Sequence, residues 1–255
     1  MRLVTGVLMA LLLVACITTG DVDPGTEVSP QEAALTNLRL GSEYLQRGQT
    51  DRALAKLNRA VEQDPHLAPA HAYLGLVYEQ LNQQKEAGKH YKTALRLDDD
   101  DPTVRNMYAV YLCRNNRMQE AEEQFLAAAT VPGYRTPETA YTNAGLCLQR
   151  AADNAKAETY FRKALTLNPR YGEALWQMAK LANAADRDFQ ARAFLQRLSE
   201  VDELSSQALW LGVQVERKLG DYSAADEYAE MLRAKYPESD ETRLLVESMR
   251  NDGSL

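Results

Sequence analysis

The chain has 255 residues, with 36 Asp and Glu against 29 Lys and Arg, for a net charge of −7. That mild acidity argues against nucleic acid, or an anionic lipid face, as the main partner. Alanine is abundant, while Val and Ile are sparse after residue 30, a helix-forming composition.

The first element is a signal. After Met1-Arg2 the chain runs apolar from Leu3 to Ala15, interrupted only by Thr5 and Gly6. At about 1.5 Å per residue this run is too short for a hydrocarbon core of ~30 Å, and a short charged start before it marks a secretory signal, residues 1–15. Leu13-Val14-Ala15-Cys16 resembles the bacterial lipobox, which implies cleavage before Cys16 and acylation of its thiol and new N-terminus. The plainer alternative is an ordinary signal peptide with an incidental cysteine. Acyl chains contribute ~0.8 kcal/mol per buried methylene, so two or three of them hold a soluble domain firmly. Ile17 stands where Asp commonly marks inner-membrane retention in lipoproteins, so the resemblance implies an outer-membrane address. Residues 16–30 (CITTGDVDPGTEVSP) show no apolar period and read as a lipidated N-terminus and flexible tether. The mature chain then carries 28 basic and 36 acidic side chains, net −8.

From there a fixed period governs the chain. Leu40-Gly41-x-x-Tyr44 aligns with Leu74-Gly75-x-x-Tyr78 at an offset of 34 residues, and Ala53 with Ala87, Leu57 with Tyr91, Ala60 with Ala94. The same columns continue through Ala109, Ala121, Phe125 and Ala128. After a two-residue insertion near Pro132–Pro137 they resume at Gly145, Ala157, Phe161 and Ala164. This pattern resembles the tetratricopeptide repeat, in which small residues sit where two antiparallel helices cross and large ones fill the gaps. Repeats are expected at 34–67, 68–101, 102–135 and 138–171, with degenerate ones at 172–205 and 205–238. Pro65 and Pro169 stop second helices, and Asp101-Pro102 and Thr136-Pro137 are expected to cap first helices. Residues 239–250 read as a capping helix with Leu244, Leu245 and Met249 inward. The expected fold is all-α: a right-handed α-solenoid over residues 31–250.

Nothing in this sequence reads as an active site. His66, His71 and His90 make no His-x-x-x-His pair and read as core or surface residues. Asp98 to Asp101 lack the glycine and distal glutamate of a calcium loop, and they precede a helix that needs a cap. We expect no enzyme, no cofactor and no metal site.

In the repeat frame Cys113 is position 12 of repeat three and Cys147 is position 10 of repeat four, both on first helices lying side by side. Buried free thiols and a disulfide both fit. The oxidising compartment implied by the signal favours a bond, which needs Cα atoms about 5–6 Å apart.

First helices line the concave face of such a solenoid, chiefly through positions 2, 5, 9, 12 and 13. Position 5 runs Leu38, Ala72, Asn106, Thr142, Trp176, Leu209, and position 9 runs Ser42, Leu76, Val110, Leu146, Lys180, Val213. The Lys, Arg and Asn set of a carboxylate clamp is missing. The apolar groove expected instead comprises Leu35, Leu38, Ser42, Leu45, Ala72, Leu76, Val110 and Leu146, suited to an amphipathic helix or an extended segment. Leu35, Leu38 and Leu45 are expected to be the most open, because no earlier repeat covers them.

A signal ending in LVAC, a short tether and six such repeats, with GSEYLQRGQTDRALAKLNRAVEQDP in the first, resemble the outer-membrane lipoproteins of type IV pilus biogenesis, the PilF/PilW type. The resemblance implies a pilotin: a lipid-anchored protein on the periplasmic face of the outer membrane that binds the pilus secretin subunit, promotes its localisation and multimerisation, and travels by the lipoprotein sorting machinery. We expect a monomer that, given its acidity, binds no nucleic acid. The alternative in the binding class is a generic lipoprotein scaffold for outer-membrane protein assembly or cell-wall synthesis.

Overall fold

A computed structural model describes residues 29–251, with side chains through 250. The signal, Cys16 and most of the tether lie outside the described residues.

Among the described residues there are thirteen α-helices and no strand. They are α1 (Pro30–Gln46), α2 (Thr50–Gln63), α3 (Ala68–Gln80), α4 (Gln84–Leu97), α5 (Pro102–Arg114), α6 (Met118–Ala129) and α7 (Pro137–Arg150), then α8 (Asn154–Leu167), α9 (Gly172–Ala184), α10 (Asp188–Ser199), α11 (Ser206–Lys218), α12 (Tyr222–Lys235) and α13 (Asp240–Asn251). Odd and even helices pair as hairpins, six in all, and α13 closes the stack against α11 and α12. First helices also touch the first helix of the next repeat: α1 on α3, α3 on α5, α5 on α7 and α9 on α11. Each second helix is wedged between two first helices, so odd helices line the inner face and even helices the outer one.

The hairpin turn explains the period. One residue in each hairpin turn has positive φ: Gly48, Asn82, Asn116, Ala152, Asp186 and Gly220. Around each, two backbone N–H groups close back on the first helix, as Gln49 does on Tyr44 and Gly48 on Leu45. The left-handed residue thereby satisfies carbonyls that the helix end leaves open. The spacing is 34 residues, except for 36 across the insertion that precedes α7.

Inside each hairpin the small residues do what their size dictates. Ala53, Ala87, Ala121, Ala157 and Ala191 are wholly buried at one column of the second helices. Gly75 lies under the Tyr91 ring, where an added β-carbon would stand 2.9 Å from ring carbons. The aromatic column, Tyr91, Phe125 and Phe161, fills the space between helices and is 1% exposed or less. This interlocking is core packing in which a single methylene is felt.

Three expectations need correction. Repeat six runs one residue later than 205–238. Gly220 is 34 residues after Asp186, and the buried column of α12 is Ala225, Ala229 and Leu232 rather than Ala224 and Tyr228. Gly212 nevertheless lies under the Tyr228 ring, where an added β-carbon would stand 2.7 Å from ring carbons, the same pairing as Gly75 with Tyr91, while in the later frame Pro237 falls at its proper place. In α13, Leu244 is 48% exposed while Leu245 is buried, because adjacent residues point about 100° apart on a helix. Asp101 caps α5, accepting from the N–H of Thr103 at 2.7 Å and of Val104 at 3.1 Å. Thr136 makes no such bond to α7, since its backbone (φ −133°, ψ 52°) is not the extended geometry a cap adopts.

A candidate partner-binding groove

The inner face is built from α1, α3, α5 and α7 by the columns named above. Leu35 is 53% exposed, and Leu38 is half-buried against the cluster around Leu57 and Leu74. Leu76 half-covers the same cluster, and Val110 and Leu146 half-cover the main core. Ser42 is also half-buried, its hydroxyl donating to the Arg39 carbonyl at 2.8 Å. These six residues share one apolar, partly open stripe across four repeats.

Two expected members do not belong to it. Leu45, 7% exposed, packs with Ala53, Leu57, Leu74 and Val77, because α2 and α3 cover the position that no earlier repeat could. Ala72 is wholly buried with Ala94 and Val104, in the wedge between α4 and α5.

From α7 onward the stripe changes character. Thr142 is buried, Trp176 is half-buried, and the Lys180 ammonium lies 5.0 Å from the Trp176 ring centroid. Burial lowers the Lys180 pKa, with the Glu173 carboxylate pulling the other way. With repeat six moved by one residue, Trp210 and Gln214 take the inner positions assigned to Leu209 and Val213, which are 1% and 0% exposed. Trp210 was missed because the Gly212–Tyr228 pair runs one residue ahead of the turn and of the buried α12 column. The positive-φ spacing is the signal that reveals it.

Cys113 and Cys147 are disulfide-bonded, with Cα atoms 5.8 Å apart. The bond joins α5 to α7, the helices that present Val110 and Leu146, and the Met118 sulfur lies 3.4 Å from the Cys147 sulfur. It therefore sets the spacing of two groove residues.

The other polar groups singled out in the chain have structural partners. His66 is exposed in a loop. His71 and His90 face each other with Nδ1 atoms 3.2 Å apart, and His71 Nε2 lies 3.1 Å from the Pro65 carbonyl. That carbonyl only accepts, so His71 carries its proton on Nε2 and accepts from His90 Nδ1–H. Asp98 Oδ1 accepts from the N–H of Asp101 at 3.1 Å, and Asp101 caps α5, so helix capping occupies both ends of the acidic run. The arrangement offers an apolar binding stripe with aromatic and cationic groups at its far end.

Tetratricopeptide repeat families match residues 38–102, 85–135, 138–171 and 207–239. The type IV pilus assembly protein PilF of Pseudomonas aeruginosa is 32% identical over 233 residues, covering 91% of this chain and 92% of PilF. The chain belongs to the PilF family. The solved structure of Pseudomonas aeruginosa PilF matches with a TM-score of 0.74 at 30% identity, over 86% of this chain and 99% of that one. PilW, described as a widely conserved type IV pilus biogenesis factor, matches with a TM-score of 0.72 at 27% identity, over 84% of this chain and 98% of its own. Membership in the PilF family gives this chain a role in type IV pilus biogenesis as a repeat scaffold.

Proposed function

We propose that this PilF-family chain is an outer-membrane pilotin. It is anchored through acylated Cys16, binds a segment of the pilus secretin subunit in the apolar stripe, and promotes secretin localisation and multimerisation. The observation that carries the reading is the partly open run of Leu35, Leu38, Leu76, Val110 and Leu146 in a member of a pilus biogenesis family. Anchored in this way, the protein would gather secretin subunits on one surface, which favours ring assembly through effective concentration without new contacts. The reading includes delivery by the lipoprotein sorting machinery, no catalytic role, and action as a monomer.

The test is deletion of the gene, envelope fractionation, and measurement of detergent-resistant secretin multimers and surface pili. Complementation uses the intact chain, Cys16→Ser and Leu35→Glu. We expect multimers to vanish on deletion, to return to the outer membrane with the intact chain only, and to be impaired by Leu35→Glu at unchanged thermal stability. Multimers indifferent to deletion would refute the reading.

A further inference from the structure

The acidity of the whole chain conceals a gradient. Residues 29–97, repeats one and two, carry nine Lys and Arg against seven Asp and Glu, net +2, whereas residues 98–251 carry nineteen against twenty-five, net −6. The cationic surplus is concentrated on the outer helices of the first two repeats. On α4, Lys85, Lys89, Lys92 and Arg96 follow one another at steps of four, three and four residues, all exposed. They form a straight stripe about 16 Å long on one helix face. Lys89 pairs with Glu86 at 3.6 Å, while Lys85, Lys92 and Arg96 have no ion pair among the described residues. Arg52, Lys56 and Arg59 on α2 are likewise without an ion pair among the described residues, beside the acids Asp51 and Glu62.

The α4 stripe borders an open groove of about 680 Å³ whose floor holds Gly88 and Tyr111 and whose far wall is Arg117. Gly88 makes the notch, for an added β-carbon there would meet the Tyr111 hydroxyl at 2.5 Å. That hydroxyl is already used, donating to the Gln84 carbonyl at 3.0 Å. Arg117 is held by the Glu120 carboxylate. The free donors around the notch are therefore the α4 ammonium and guanidinium groups.

We propose that the outer face of α2 and α4 seats on an anionic phospholipid surface and so orients the solenoid on its anchor, an inference that rests on the lipid-anchor reading of Cys16. The cations spread over two helices, each wedged behind a different first helix, which is broader than one extended acidic peptide would need. Twelve residues lie between Cys16 and Ser29 at the start of α1. Fully extended, they reach about 45 Å, so the anchor holds repeats one and two nearest the bilayer. The net-positive end is then attracted and the net-negative end repelled. Screening within about 10 Å confines the effect to the near face. In this pose the inner stripe faces away from the lipid and stays open to its partner. The low charge of the whole chain spoke against lipid as the main partner; here lipid is an orienting contact secondary to the anchor.

The experiment uses the chain from residue 17 onward, which contains the whole described fold and no acyl chain, in co-sedimentation with vesicles. We expect binding to phosphatidylglycerol–phosphatidylethanolamine vesicles, none to phosphatidylcholine vesicles, and loss as salt approaches 1 M, where the screening length is about 3 Å. Combined Lys85→Gln, Lys89→Gln, Lys92→Gln and Arg96→Gln should weaken binding by tenfold or more, up to about a thousandfold if all four sit against the surface. Four neutralisations on the distal repeats (Arg135→Gln, Arg150→Gln, Lys163→Gln, Arg170→Gln) should leave it unchanged, with circular dichroism showing that both variants fold. Equal binding by the α4 variant, equal binding to neutral vesicles, or no vesicle binding would each overturn the proposal. So would capture of a poly-glutamate peptide in place of vesicles, which would assign the groove to an acidic peptide. Because no acyl chain is present, failure here leaves the anchor reading standing. That reading fails separately, if mass spectrometry of the membrane-bound protein finds Cys16 unmodified.

Discussion

The Tyr91 hydroxyl donates a 2.6 Å hydrogen bond to the buried Glu79 carboxylate, whose second oxygen lies 3.2 Å from the Arg114 guanidinium. One carboxylate thus links α4, α3 and α5 and locks repeat two to repeat three. Burial, followed by the Glu79 charge, pushes the Tyr91 phenol far above its ordinary pKa, so it remains a donor at every pH the fold survives. Tyr91→Phe keeps the ring over Gly75 but leaves the carboxylate with Arg114 alone. The expected loss is about 1–3 kcal/mol in denaturant unfolding, the cost of an under-satisfied buried acceptor. A double-mutant cycle with Glu79→Gln should show coupling of roughly 0.5–3 kcal/mol, and strict additivity would mean the bond contributes nothing.

The six hairpin turns make a second prediction, because they are equivalent in shape and unequal in residue. Gly48 and Gly220 adopt positive φ freely, and Asn82, Asn116 and Asp186 tolerate it, but Ala152 holds φ 61° with a β-carbon. A left-handed L-residue costs about 1–2 kcal/mol, against about 0.5–1 kcal/mol of unfolded-chain entropy that glycine loses. Ala152→Gly should therefore raise stability by up to ~1 kcal/mol, or about 2–4 °C for a chain of this size. Gly48→Ala should do the reverse. A fall in the unfolding midpoint of the Ala152→Gly protein would show the turn to be unstrained.

The paired histidines predict a pH dependence. Burial first, then His71, holds His90 down to about pKa 4, and burial also lowers His71, opposed by its bond to Pro65. Lys89 and Arg96 face the pair and disfavour protonation, while Glu86 favours it. Tyr78 stacks on His90 with ring centroids 5.2 Å apart. Since the unfolded chain takes up protons near pH 6.5 and the folded pair only lower, stability is full above that value. It should fall as pH drops from 6.5 toward 4. The slope should stay under the ~1.4 kcal/mol per pH unit of a fully shielded group, because the half-exposed His90 ring is screened. Urea midpoints measured across this range on the native chain and on His90→Asn provide the check, and parallel curves would remove the pair as the cause.

The period of the fold was legible because it is written in residues whose size admits one place, such as Gly75 beneath Tyr91 and Ala87 at the helix crossing. The groove was only half legible. Leu38, Leu76, Val110 and Leu146 follow from their column, but whether a column position is open depends on which neighbour covers it. Ala72 and Thr142 share the column of Leu38 and Trp176 and are nevertheless buried, Ala72 against Ala94 and Val104. In repeat six the expected contact of Gly212 with Tyr228 is made, but it runs one residue ahead of the buried column of α12. The positive φ of Gly220, a backbone property, marks the later frame.

The disulfide gives the last prediction, since it closes a loop of 34 residues between helices that both face the groove. By loop-closure entropy a bridge of this span stabilises by about 3–4 kcal/mol, within a measured range of roughly 2–5 kcal/mol for native bonds. Cys113 and Cys147 are 6% and 3% exposed, so reduction should be slow in the folded chain and fast once it opens. In Cys113→Ser/Cys147→Ser the loss should concentrate in α5 to α7, read as hydrogen exchange accelerated there more than in α1 and α2. Because Val110 and Leu146 are carried by the joined helices, the same variant should bind the groove partner proposed above more weakly, while Leu35, two repeats away, keeps its protection pattern. Equal exchange with and without the bond would mean that packing around Met118 and Phe125 alone holds the two repeats in register.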